Sequence, residues 1–240
     1  MPARGVFEYV SVAGMDQPPF RLFTVAETAA PLKVSAGMTI VPDYTFADAP
    51  QPKVIVVPAQ DEPSRAMLDW IRQASKGTDV TMSVCTGAFV LAKAGMFSGK
   101  QATTHHGALA LLAADFPDVE VIRGARFVDA AGVSSAGGLT SGIDLTMHVV
   151  ERYYGRETAE RTAFALEYQG QGWKSAMSNG AYAKRPPLTG AHPHCPVCEY
   201  EFTAEDLKTA PREAYKGKTY YFCSKEDMDR FDKSPEKFAE

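Results

Sequence analysis

Four cysteines carry the reactive chemistry of this 240-residue chain, and they fall into two settings. Cys85 stands alone in VTMSVCTGAFVLAKAGMF (residues 80–97), between a β-branched run and a small-residue helical pattern. Cys195, Cys198 and Cys223 cluster near the C-terminus, an odd set for disulfides and a suitable one for metal or thiol chemistry. The Cys85 segment ends a strand at the cysteine and starts a helix within two residues, with Gly87 available where the turn is tight. This is how a nucleophile elbow is built, with the side chain projecting from a sharp strand-to-helix turn at the carboxyl end of a parallel sheet. Backbone N–H groups and the positive end of the helix dipole then favour thiolate. The competing reading of the same residue is a small buried hydrophobe.

In the second setting, Cys195-Pro-Val-Cys198 forms a C-x-x-C knuckle, and Cys223 ends the aromatic run KTYYFC. Thiolates at these spacings suit tetrahedral Zn²⁺, and a structural ion would explain how a short module with few aliphatic residues holds a fold. The competing reading is a degenerate module of plain thiols. YKGKTYYFCSKEDMDRF reads as a hairpin turning at Lys216-Gly217, followed by a helix with Ser224 and Asp227 in capping-box spacing. Tyr220, Tyr221 and Phe222 read as core rather than as a binding platform.

The elements that must position these residues alternate between strand and helix from Phe20 to about Trp173, as βαβ units require. FRLFTVAE (20–27) and PKVIVVPAQ (52–60) read as strands, and SRAMLDWIRQASKG (64–77) as an amphipathic helix capped by Ser64 and ended by Gly77. TDVTMSVC (78–85) is the next strand, with a helix over residues 87–95. KQATTHHGALALLAADFP gives a short strand and a helix stopped near Pro117. Short strands follow around a Gly132 turn, then a helix over 142–155 with a glycine stop, and RETAERTAFALEY (156–168) completes the α/β part. The expected division is an α/β domain over 1–173, a linker over 174–191 without sustained period, and a small polar module over 192–240.

A formal net charge of −4 and a pI near 5.8, with scattered Lys and Arg, give no electrostatic footprint for nucleic acid. The N-terminus has no apolar signal core, and no run approaches the length of a membrane span. The expectation is a cytoplasmic protein with neither nucleic acid nor membrane as partner.

SVCTGAFVLAKAGMFSGKQATTHHGALALLA followed by GGLTSGIDLTMHVVERYYG resembles the DJ-1/PfpI family, within the class I glutamine amidotransferase-like fold. The similarity is nearest to the isonitrile hydratase branch and to the N-terminal domains of AraC-type regulators. It implies a flavodoxin-like, doubly wound, mostly parallel α/β sheet, with Cys85 as nucleophile and no cofactor in the catalytic domain. Thr86 matches the residue whose backbone N–H would face a developing oxyanion, and it departs from the Cys-His dipeptide of the protease branch. His105 corresponds to a histidine that many members place near the cysteine, as base, proton shuttle or plain structural residue, while His106 points elsewhere. Gly137 and Gly138, with Thr140, match a glycine-rich turn beside the substrate pocket. The family also implies a homodimer and a small-molecule substrate.

Two departures stand out. Members carry Pro-Gly-Gly after the second central strand, where this chain has Pro58-Ala59-Gln60. Ala59 can still donate its N–H if its φ is negative, and Gln60 can contact substrate or cap the next helix. By the register in which Gly5 and Glu8 match the family's helix start, the acidic residue that bonds the nucleophile falls at Pro2. The family's opening interior strand would then precede Met1. At the other end, YKGKTYYFCS and SPEKF resemble the YHS domain. Its metal-binding members have a fourth cysteine where this chain has Asp227, so Asp227 is either a ligand or a helix-start charge, with His192 or His194 as alternatives. Two functions follow from the resemblances. The first is a cysteine-dependent enzyme hydrating a small isonitrile to an N-substituted formamide through Cys85, and the second is a non-catalytic redox or metal-responsive sensor.

Overall fold

The computed structural model describes residues 2–239, with Pro2 and Ala36 described by their backbone alone. The side chain of Pro2, at the family's acidic position, therefore lies outside the described residues. In chain order the α/β part contains α1 (Pro2–Glu8), β1 (Val25–Ala26), β2 (Leu32–Lys33), β3 (Thr39–Ile40), β4 (Tyr44–Thr45), β5 (Val54–Val57), α2 (Arg65–Ala74), β6 (Val80–Val84) and α3 (Gly87–Lys93). It continues through β7 (Gln101–Ala102), α4 (Leu109–Asp115), β8 (Glu120–Val121), β9 (Phe127–Ala130), β10 (Val133–Ala136) and α5 (Leu139–Ala165). The C-terminal part contains α6 (Asp206–Thr209), β11 (Arg212–Tyr215), β12 (Lys218–Tyr221), α7 (Lys225–Lys233) and α8 (Pro235–Phe238).

All five residues of β6 are buried, as expected of a strand covered on both faces. β5 and β10 pair with it in parallel, and β9 closes the far edge antiparallel to β10. Side chains alternate across the sheet. Val80, Met82 and Val84 pack with Val6, Phe7, Leu145 and Val149 from α1 and α5. Ile55 and Val57 pack on the other side with Ile71, Leu91, Phe97 and Leu112. Helices thus cover both faces of a mostly parallel sheet, the doubly wound flavodoxin-like arrangement that the family resemblance implied.

The sheet is interrupted on one side. Among the described residues β5 is its edge strand, and β1 pairs with β4 in a separate two-stranded unit. The strand expected over 20–27 is therefore only Val25–Ala26, because a ladder extends only as far as its neighbour does.

Local signals set most boundaries. The Ser64 side chain accepts from the Met67 N–H and caps α2. Gly155, at φ 81°, divides α5 into two helical stretches where a glycine stop was expected. Ala131-Gly132 and Lys216-Gly217 each place two consecutive residues in the left-handed region, the requirement of tight two-residue hairpins. No helix among the described residues is long and apolar enough to cross a membrane.

Residues 174–191 lack regular period but are packed along their length. The Arg126 N–H donates to Ala176 O (2.7 Å), the Asn179 N–H donates to Gly124 O (2.9 Å), and Leu188 is fully buried. Leu188 belongs to a core with Cys195, Val197, Phe202, Tyr220, Phe222, Phe231 and Phe238, which Ala114 of α4 joins from the α/β part.

Candidate functional site

Cys85 follows β6 directly and adopts φ 58°, a left-handed conformation that non-glycine residues avoid. Neighbouring groups enforce it. The Cys85 N–H donates to Gly137 O at 2.8 Å, and the Cys85 carbonyl accepts from the Thr104 hydroxyl at 2.9 Å. On the far side of the turn, a Cβ on Gly87 would lie 2.2 Å from Val57 O and 2.8 Å from Pro58 O. α3 thus reaches β5 at backbone contact, and only glycine permits it. The result is a half-buried sulfur on a strained elbow at the carboxyl ends of parallel strands. We expect Gly87→Ala to destabilise the protein by about 1–3 kcal/mol or more through overpacking against immobile backbone. Urea unfolding would show this, and an unchanged midpoint would contradict the contact.

Of the other expected site residues, Thr86 follows Cys85 in the turn and Gly137 bonds to Cys85 directly. Gly137 and Gly138 act as hydrogen-bonding and close-packing positions, since neither lies in the left-handed region. The neighbouring Thr140 hydroxyl accepts from Arg126 (3.0 Å). The N–H of Thr86 meets no acceptor among the described residues. His105 rests beside the glycine turn, its Cδ2 3.6 Å from the position a Cβ on Gly138 would take. Its Nδ1 accepts from the Gly107 N–H (3.2 Å), which in the neutral ring leaves the proton on Nε2. No hydrogen bond joins His105 to the Cys85 sulfur among the described residues. His106 turns away, stacking on Tyr182 with ring centroids 4.3 Å apart. Burial, reinforced by His105, holds His106 below the usual histidine range.

Ala59 and Gln60 are exposed. Ala59 is outside the left-handed region, so its N–H remains an unstrained donor. The Gln60 amide contacts Met67 Sδ of α2 (3.1 Å) rather than the elbow. Thr104 was not singled out in the sequence. Its signal is a hydroxyl following a strand at a buried position, where it must find an acceptor.

The second constellation brings Cys195, Cys198, Cys223 and Asp227 together, with one donor atom from each lying within 4.8 Å of all the others. The sulfurs of Cys198 and Cys223 are 3.0 Å apart, and Cys195 Sγ lies 3.6 Å from Asp227 Oδ2. α7 delivers Asp227, whose N–H is capped by the Ser224 hydroxyl at 3.1 Å. The knuckle closes at Glu199 (φ 58°), whose N–H donates to Cys195 O. Of the three expected alternatives Asp227 is the one that joins this cluster, while His194 Nδ1 is engaged with Pro187 O and His192 O and His192 is exposed beside Glu201. Hydrogen bonding to Cys198, with burial, pushes the Cys195 thiol up strongly. Burial, with the Cys195 sulfur nearby, pushes Cys223 to about 12. The raised Cys195 and Cys223 thiols resist ionisation here, and a divalent cation reverses that balance. Three soft sulfurs and one carboxylate in this volume fit such an ion.

A sequence profile of the DJ-1/PfpI family matches residues 9–152, and one of the YHS domain matches residues 196–240. The chain is 33% identical over 162 residues to isonitrile hydratase of Pseudomonas putida, covering 63% of this chain and 67% of that protein. It is 27% identical over 144 residues to the HTH-type transcriptional regulator CdhR of Pseudomonas aeruginosa, but spans only 43% of that protein. Among solved structures it is similar to a ThiJ/PfpI family protein from Pseudomonas syringae, with a TM-score of 0.61, 24% identity, and 71% and 69% of the two chains covered. An AraC family transcriptional regulator from Pseudomonas putida shares the fold at a TM-score of 0.59 and 20% identity, over 69% of this chain and 90% of that one. The elbow at Cys85, the doubly wound sheet that carries it and the matched profile together establish that the chain belongs to the DJ-1/PfpI family.

Proposed function

We propose that the protein hydrates a small isonitrile to an N-substituted formamide, with Cys85 as the nucleophile. The observation that carries this reading is the enforced left-handed elbow at Cys85, and the similarity to isonitrile hydratase supports the substrate class. The Cys85 thiol adds across the terminal carbon of R–N≡C, forming an S–C bond and a C–H bond to give R–N=CH–S–Cys85. Water then adds to that carbon, the nitrogen takes a proton, and the C–S bond breaks to release R–NH–CHO and regenerate the thiol. The Thr86 N–H stabilises the oxygen as negative charge develops on it. His105, with its proton on Nε2, acts as donor rather than base in this tautomer, Gly137 and Gly138 form the turn against the elbow, and Ala59 offers an unstrained N–H to substrate, whereas Gln60 would have to leave Met67 to do so.

The test is a panel of alkyl isonitriles and 2-oxoaldehydes incubated with the full chain, with formamide or hydroxy acid read by chromatography. Formamide formation supports the reading. Turnover of oxoaldehydes alone, or of neither class, contradicts it. The second reading, a metal- or redox-responsive sensor, is favoured by the four-donor cluster. It predicts retention of a bound ion without turnover of any substrate.

Zinc is the proposed ion, since borderline-soft Zn²⁺ tolerates a tetrahedral set of three thiolates and one carboxylate. Cys195→Ser and Cys223→Ser are each expected to reduce zinc content from about one ion per chain to a small fraction of that. Elemental analysis of the purified variants measures it, and unchanged content in both would refute the site. Cytoplasmic residence, homodimerisation and the division at 174–191 accompany this reading as proposals.

A further inference from the structure

We propose that the C-terminal donor cluster is a regulatory input to the elbow. An ion held by Cys195, Cys198, Cys223 and Asp227 fixes the loop His105–Gly107, and through it the reactivity of Cys85. This rests on Cys85 being the nucleophile, but it concerns the reactivity of the sulfur and not turnover.

The knuckle that holds two donors is seated on that loop. The carbonyl of Cys198 lies 2.9 Å from where a Cβ on Gly107 would sit, so the two backbones meet at a distance that only glycine allows. Glu199, the next residue, has a side chain only 5% exposed and pairs with both Arg123 and Arg185. Lys237 Nζ donates to Ala114 O (2.9 Å), and Arg230 pairs with Asp115 (3.4 Å), so α7 and α8 are fastened to α4, the helix that follows the loop. The donor cluster and the loop are thus parts of one packed interface.

From the loop, contacts run directly to the elbow. The Gly107 N–H donates to His105 Nδ1, and the other side of the ring abuts Gly138. Gly137, preceding Gly138, accepts the Cys85 N–H, and Thr104, preceding His105, donates its hydroxyl to the Cys85 carbonyl. Two of the groups that clamp the Cys85 backbone, Gly137 and Thr104, are therefore neighbours of His105, one in space and one in sequence. An ion would tie the Cys198 and Cys223 sulfurs, 3.0 Å apart and otherwise joined by a single weak thiol hydrogen bond, to Cys195 and Asp227. Removing that tie frees the knuckle to shift its Cys198 carbonyl away from Gly107, which would loosen the clamp and let the strained Cys85 backbone relax. Loss of the ion is thus expected to slow Cys85.

The experiment compares zinc-loaded and chelator-stripped full chain, with a phosphine reductant present. Iodoacetamide labelling of Cys85 is followed peptide by peptide in a mass spectrometer, alongside hydrogen exchange over residues 103–108. The loaded protein is expected to label at Cys85 about fivefold faster or more, the lower range of ordinary coupling between sites, with slower exchange in the loop. Gly107→Ala, loaded with the same zinc, should bring the ratio close to one. Arg123→Ala, which removes one of the two ion pairs that seat Glu199 while Arg185 keeps the other, should lower the ratio and stands in should Gly107→Ala fail to fold. Equal labelling of loaded and stripped wild type would overturn the proposal, as would full coupling retained in a folded variant. Failure of isonitrile turnover would leave the labelling ratio defined, so the two readings fail separately.

Discussion

Replacing Cys85 by alanine is expected to lower isonitrile turnover by about a thousandfold or more, equivalent to about 4 kcal/mol of lost transition-state stabilisation. No other thiol substitutes, because Cys195, Cys198 and Cys223 are committed to the C-terminal cluster. The substitution leaves the scaffold intact. The sulfur is only half-buried, and the bonds that hold residue 85, among them those from its N–H to Gly137 and from Thr104 to its carbonyl, are made to its backbone and survive the change. Alanine meets the same left-handed penalty as cysteine, so the urea midpoint should barely move. Cys85→Ser should be as inactive as Cys85→Ala. A hydroxyl needs a base to become a nucleophile, and no described side chain hydrogen-bonds to position 85 as one. An active serine variant would show that a base has been overlooked.

Asp144→Ala is expected to cost about 3–5 kcal/mol in urea unfolding, the largest stability effect among the substitutions considered. The Asp144 side chain is fully buried on α5 and ion-pairs with Arg126, while the Tyr168 hydroxyl donates to its other oxygen at 2.8 Å. Removing the carboxylate strands the Arg126 guanidinium in a mostly buried setting. Asp144→Asn should be damaging too, since it keeps an acceptor but leaves that charge uncompensated. The site would feel the loss. Arg126 O accepts from the Gly137 N–H (2.9 Å) in the same turn that receives the Cys85 N–H. The cluster also has an alkaline limit. Burial and the adjacent Asp144 raise the Tyr168 hydroxyl to about 12, above its unfolded value of about 10. Its contribution to stability is therefore complete below about pH 10 and is lost as pH rises toward 12. A Tyr168→Phe variant should show a flatter stability profile across that window.

The elbow was legible because its ingredients are local: a β-branched strand, one cysteine, and a glycine two residues on. What the sequence could not show was why Gly87 must be glycine, since its constraint comes from Val57 O on a different strand. The same holds for Thr104, whose acceptor is 19 residues away. FRLFTVAE has the pattern of a longer strand than Val25–Ala26, because pattern records propensity while strand length is set by a partner. The clustering of three cysteines was legible from spacing, but which of Asp227, His192 and His194 joins them depended on where α7 begins. Residues 174–191 read as a linker because packing against Gly124, His106 and the C-terminal core leaves no period in sequence.

The central claim, that the Cys85 sulfur performs the chemistry, is tested most directly by titrating it away. Full chain loaded with zinc is treated with graded iodoacetamide, the modified fraction of Cys85 is read by peptide mass spectrometry, and isonitrile turnover is measured on the same samples. Turnover should fall in a straight line with unmodified Cys85 and reach zero when that residue is fully alkylated. Turnover that persists in fully alkylated protein would contradict the account.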